Sequence, residues 1–156
     1  MSEGEISEMM AAAAPHVYRL REIRRDASRP RWAAQFDDDV VVVAEWIQSR
    51  RVLALSVDLG YPPEEHIATV QETLLVYNSL RQQTAGASMA LAEPAGELVH
   101  LFDIDHRDLS AARISEALGG FALESAAWRK VVADGARIDA ALAEAAGRAL
   151  TAAQRH

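Results

Sequence analysis

The stretch Thr73–Asp105, TLLVYNSLRQQTAGASMALAEPAGELVHLFDID, changes character twice. It opens with apolar residues at helical spacing and passes through the small-residue turn Thr84-Ala85-Gly86. It then alternates as two strands, ASMALA and Leu98–Asp105, joined by a Glu93-Pro94-Ala95-Gly96 loop. No part of it has the spacing of a catalytic or metal-binding motif. A helix followed by a hairpin and carrying no chemistry reads as an architectural unit, and the rest of the chain is read around it.

Upstream, Pro63 with Glu64 and Glu65 suits a helix N-terminus, so a helix is expected from about Pro63 to Gln83. Ile67, Val70, Leu74 and Tyr77 form one stripe; Thr69, Thr73, Val76 and Leu80 form another, roughly opposite. A helix with two usable faces is central in its domain or shared between subunits. Before it come three strands in quick order. RWAAQF covers about Arg31 to Phe36, the Asp37-Asp38-Asp39 turn follows, and Val40 to Gln48 is rich in β-branched residues. In RVLALSVDLG, Leu53, Leu55, Val57 and Leu59 point one way, and Ala54, Ser56 and Asp58 the other. The Val40–Gln48 strand is apolar on both faces, with Val40, Val42, Ala44 and Trp46 on one and Val41, Val43 and Ile47 on the other. Its outer face therefore needs a cover.

The first element reads as a helix from roughly Ile6 to Ala27, because Met10, Ala13, Val17, Leu20 and Ile23 recur at helical spacing. Pro15 falls inside it, which favours a start near Ala14 with the acidic tail frayed. The last helix begins near Asp108 or Ser110, and Ile114, Leu118, Phe121, Ser125, Trp128 and Val132 make an unbroken seam. Gly119-Gly120 inside it admits a kink or a close backbone approach. The chain thus reads α-β-β-β-α-β-β-α: an α+β fold with an antiparallel twisted sheet in one domain, residues 1–135. An alanine-rich helical extension or tail, Ala136–His156, follows.

Composition narrows the function. The 156 residues are 50% hydrophobic and 25% charged, and hold no cysteine, which excludes disulfides, zinc–thiolate sites and thiol catalysis. The net charge of −7 disfavours nucleic acid and anionic lipid on average. Six arginines between Arg19 and Arg31 form a possible nucleic-acid patch, or, as a blander reading, a solvated face balanced by Glu22 and Asp26. Asp103, Asp105, His106 and Asp108 are the densest polar cluster. They read as a hard-metal or acid/base site, or as a strand end leading to a helix N-cap. No GxSxG elbow or phosphate loop is present. No catalytic residue, cofactor or metal is expected. MSEGEISEMM is acidic where a signal peptide is basic, and no apolar run spans a bilayer, so a cytoplasmic protein without membrane insertion is expected.

The motifs taken together resemble the class I type III secretion chaperones, the Tir-chaperone-like family. TLLVYNSL, with Leu74, Leu75 and Asn78, matches the family's helix-ending motif. QQTAGASMALAEP matches its threonine/glycine turn and following strand. FALESAAWRKVV, with Phe121, Trp128 and Arg129, matches its final helix, and DDDVVVVAEW and VLALSVDLG fit its central strands. Ala85 departs from a second glycine that is common there. The resemblance implies a bacterial cytoplasmic homodimer, and no enzyme. Such a protein holds the N-terminal region of one secreted effector in extended form, keeps it secretion-competent, and has the secretion-system ATPase as a further partner. An adaptor or regulator of the same fold is the alternative. Effector contacts would fall to Val17, Leu20, Trp32, Phe36, Val41 and Val43. Dimer contacts would fall to Thr73, Val76, Leu80 and Met89.

Overall fold

The computed structural model describes residues 1–136 apart from Arg81 and Ala95. Helix α1 spans Glu3–Ala13 and runs on as a single 3-10 turn, Ala14–His16. Strands β1 (Leu20–Arg25), β2 (Arg31–Phe36), β3 (Val41–Ile47) and β4 (Val52–Gly60) form a meander. Helix α2 (Ile67–Ser79), strands β5 (Ser88–Leu91) and β6 (Leu98–Asp105) and helix α3 (Ala111–Asp134) complete the chain. All pairings are antiparallel, and the six strands lie in the order β1-β2-β3-β4-β6-β5. The α+β antiparallel class expected from the sequence is the one observed.

One face of the sheet is closed by helices. Its residues alternate along each strand: Trp32, Ala34 and Phe36; Val42, Ala44 and Trp46; Leu53, Leu55, Val57 and Leu59; Leu98, His100, Phe102 and Ile104. Against them α3 lays the seam Ile114, Leu118, Phe121, Ser125, Trp128 and Val132, all buried. Ser110 caps that helix by accepting a hydrogen bond from Arg113 N at 3.1 Å. Gly135, at φ 63°, ends it in the left-handed conformation that glycine adopts freely. The opposite face stays open: Val41 is 39% exposed, and Val43 and Ile47 are half-buried.

The N-terminal region differs from the sequence expectation. The acidic segment is not frayed: Ser2 Oγ accepts from Glu5 N at 3.3 Å, and Glu5 Oε2 accepts from Ser2 N at 2.6 Å, a reciprocal capping box. The helix does not reach Ala27. Pro15 cannot donate to the helical ladder, Arg19 takes φ 61°, and residues 20–25 form a strand. Its apolar spacing is helical in appearance because of a register shift between Leu20 and Glu22. The extra residue puts Leu20 opposite Phe36 and Ile23 opposite Ala34, so residues three apart share the inner side. The sheet therefore has six strands, one more than expected. The extension expected from Ala136 onward lies outside the described residues beyond Ala136.

Candidate functional site

The polar groups within the core are organised but sealed. Tyr77 Oη donates to Glu124 Oε1 at 2.8 Å and lies 3.1 Å from His100 Nε2; His100 Nδ1 lies 2.9 Å from Ser125 Oγ. With the tyrosine proton committed to Glu124, His100 donates from Nε2 and accepts from the Ser125 hydroxyl, which fits a neutral imidazole. Burial holds the His100 pKa down at about 3 and pushes the Glu124 carboxyl up to about 7, opposed by Tyr77 and Trp128. Glu124 Oε2 has no well-aligned partner. A serine beside a histidine has the spacing of an acyl-transfer pair, but Ser125 and His100 are both 0% exposed. No substrate reaches them. The network ties α2, β6 and α3 together.

Asp103 and Asp105 of the acidic cluster at the end of β6 are held in ion pairs. Asp103 pairs with Arg50, and Asp105 accepts from the Arg107 main chain and guanidinium, which hold its carboxyl well below the usual range. No group of three potential ligands stands together among the described residues. Four of the six arginines in the cluster are similarly occupied. Arg19 and Arg21 meet Asp37 and Asp38, Arg24 meets Glu22, and Arg25 meets Glu3.

What remains available is surface. The outer edge of β1 receives no main-chain or side-chain hydrogen bond from another element among the described residues. Just before β1 the chain borders an apolar groove of about 330 Å³. Its floor is α3 at Gly119 and Gly120, and its walls include Tyr18, Phe36, Val40 and Leu123, with Glu116 and Asp38 on the rim. A Cβ added to Gly119 would meet nothing within 4 Å, so the missing side chain is what opens the groove. Tyr18 is 82% exposed and Leu123 69%, large apolar groups left in water beside it. A second apolar hollow, about 320 Å³, lies between α2 and β5 and is lined by Leu74, Leu75, Met89, Leu91 and Leu98. Leu75 is 69% exposed there.

Solved structures share this architecture. A chain of the HopA1–SchA chaperone–effector complex superposes with a TM-score of 0.65 at 18% identity, over 83% of this chain and 97% of that one. The fold is the one seen there. A chain of the ExsC–ExsE complex superposes with a TM-score of 0.68 at 16% identity, over 84% and 96%. No family model and no curated protein matches the sequence. Among the described residues no helix is long and apolar enough to cross a membrane.

The ten residues singled out from the sequence fall into two groups. Val41 and Val43 stand on the open face, Leu20 is half-buried at the edge strand, and Phe36 reaches the Gly119–Gly120 groove; Val17 and Trp32 are closed into the core. On the α2 side Val76 is exposed and Leu80 half-buried, whereas Thr73 and Met89 are buried beneath them. Sequence reasoning missed Tyr18 and Leu123, whose neighbours are unremarkable. It also missed the groove, although the glycine pair in an otherwise regular seam was the available signal.

Proposed function

We propose that this protein is a type III secretion chaperone of the Tir-chaperone kind. It binds the N-terminal region of a secreted effector as an extended chain and keeps it secretion-competent in the bacterial cytoplasm. The observation that carries the reading is an open β1 edge with an apolar groove bordering the residues just before it, on a fold shared with a chain of a chaperone–effector complex. An extended polypeptide added to β1 gains main-chain hydrogen bonds along the edge and places a side chain in the groove. Phe36, Leu20, Val41 and Val43 would meet the client, with Val17 and Trp32 supporting them from beneath.

The α2–β5 hollow suits a second copy, packed through Leu75, Val76, Leu80 and Leu91 over Thr73 and Met89. A homodimer would present two β1 edges to one client, and a secretion ATPase would receive the loaded complex.

The test is capture of tagged protein from its own cells, with mass analysis of what elutes. One larger partner, held through its N-terminal region by two copies, is the expected result. Gly119→Leu, whose Cβ has open space and whose side chain would occupy the groove, is expected to lose that partner while the protein stays folded. A folded dimer that captures nothing moves the protein to an adaptor role, and a monomer overturns the assembly.

A further inference from the structure

The two motif residues that the function leaves unused, Asn78 and Thr84, converge on one place. Asn78 Nδ2 donates to the Met89 carbonyl at 2.9 Å, and Met89 N donates to Asn78 Oδ1 at 2.7 Å. Only one orientation of the carboxamide satisfies both bonds. Met89 stands opposite His100 in the β5–β6 ladder, and both its main-chain groups face away from β6 into this side chain. Two residues earlier, at the next outward position, Ala87 N donates to the Thr84 carbonyl at 3.0 Å and Thr84 Oγ1 donates to the Ala87 carbonyl at 3.1 Å. At Ala87 and Met89 the donors and acceptors that a neighbouring strand would use are therefore taken, by a turn that folds back on itself and by an amide that imitates a peptide group.

We propose that Asn78 and Thr84 form a plug that closes the β5 edge of the sheet to incoming strands. Without it, the strand that would pair there is the β5 of a second copy, antiparallel, because Leu75 and Leu91 already make the flanking surface apolar. Contacts with this side of the molecule then run through side chains alone, and strand addition is directed to β1. This inference concerns the isolated protein and stands whether or not a client is found.

The experiment is Asn78→Ala, alone and with Thr84→Val, followed by light scattering across a concentration series, amide infrared spectra, and hydrogen exchange at Met89. The expected result is at least tenfold faster exchange of the Met89 amide. Concentration-dependent species larger than wild type, with an intermolecular β signal, should accompany it. Ser88→Lys, on β5 but outside the α2–β5 hollow, added to the alanine variant is expected to restore the wild-type size, since a charge on an edge strand resists pairing. Val132→Ala, a core variant without edge changes, controls for loss of stability and is expected to keep the wild-type size. Should Asn78→Ala fail to fold, Asn78→Asp replaces it for the size and infrared measurements alone: it keeps the acceptor for Met89 N–H, so protection there is not its readout, and frees the Met89 carbonyl. A Met89 amide that exchanges freely in a protein of unchanged size overturns the proposal. So does unchanged protection at Met89, or enlargement that Val132→Ala reproduces.

Discussion

At the β5 edge the outward main-chain groups of Ala87 and Met89 are held by Thr84 and Asn78, and α2 lies alongside, fixed to the core through Tyr77. At the β1 edge the main chain is open, and what surrounds it is a set of exposed ion pairs between arginines and acidic residues. A sheet with two open edges invites association with any extended chain, including its own copies. One edge is closed at Ala87 and Met89 by buried or part-buried directional bonds, and the other is ringed by charge. The energies on the two sides should differ accordingly.

The largest contrast is expected in the supports. Trp128 packs edge-on against Tyr77 with ring centroids 5.0 Å apart and is 2% exposed. Trp128→Ala should cost about 3–5 kcal/mol in denaturant unfolding, whereas Ile23→Ala beneath β1 should cost about 1–2 kcal/mol because Ile23 is only half-buried. Equal losses would break the comparison.

The next effect is on pH. Glu124 is raised in the folded state, so the stability linked to its protonation is complete below its unfolded value near 4.5 and is lost as pH rises through about 7. His100 is depressed, so its contribution is present above its unfolded value near 6.5 and is lost as pH falls toward about 3. Between roughly pH 4.5 and 6.5 the two slopes oppose each other, and stability should be nearly flat. Glu124→Gln should remove the alkaline slope. Relative to it, wild type should lose on the order of 2 kcal/mol between pH 5 and pH 8.5, read from denaturation midpoints at each pH. Parallel curves for the two proteins would show that Glu124 is charged throughout.

A smaller change sharpens the picture of the turn that leads into β5. Ala85 sits at φ 51°, a conformation that is costly for alanine and free for glycine. Ala85→Gly should stabilise the protein by about 1 kcal/mol, seen as a rise in melting temperature; a loss would show that unfolded-state entropy dominates there. The smallest effect belongs to the open edge. Arg21→Ala removes an exposed pair with Asp37 3.0 Å away, and unfolding should shift by less than about 0.5 kcal/mol, shrinking further in high salt.

Much of this was legible beforehand. Leu53, Leu55, Val57 and Leu59 alternate without interruption, and the seam from Ile114 to Val132 never breaks step, so both announced their buried faces. The β1 segment did not, because a bulge converts a two-residue period into a three-residue spacing that periodicity alone reads as helix. The candidate site was only partly visible. Val41 and Val43 stood out as apolar residues on the wrong face of a strand. The groove depends on a side chain that is absent, and the edge plug on two bonds spanning eleven residues from Asn78 to Met89, which no local pattern encodes.

The strand order also has a consequence in time. β1 to β4 pair with their neighbours in sequence, so the four-strand meander needs only short loops to close. The β4–β6 ladder joins residues roughly 40 to 50 positions apart, with α2 and β5 lying between them in the chain, and its closure costs more chain entropy. As the chain leaves the ribosome, the strand with the open edge can therefore assemble before β6 and α3 have been synthesised. The edge that stays open in the finished molecule belongs to the part of the sheet that can form first.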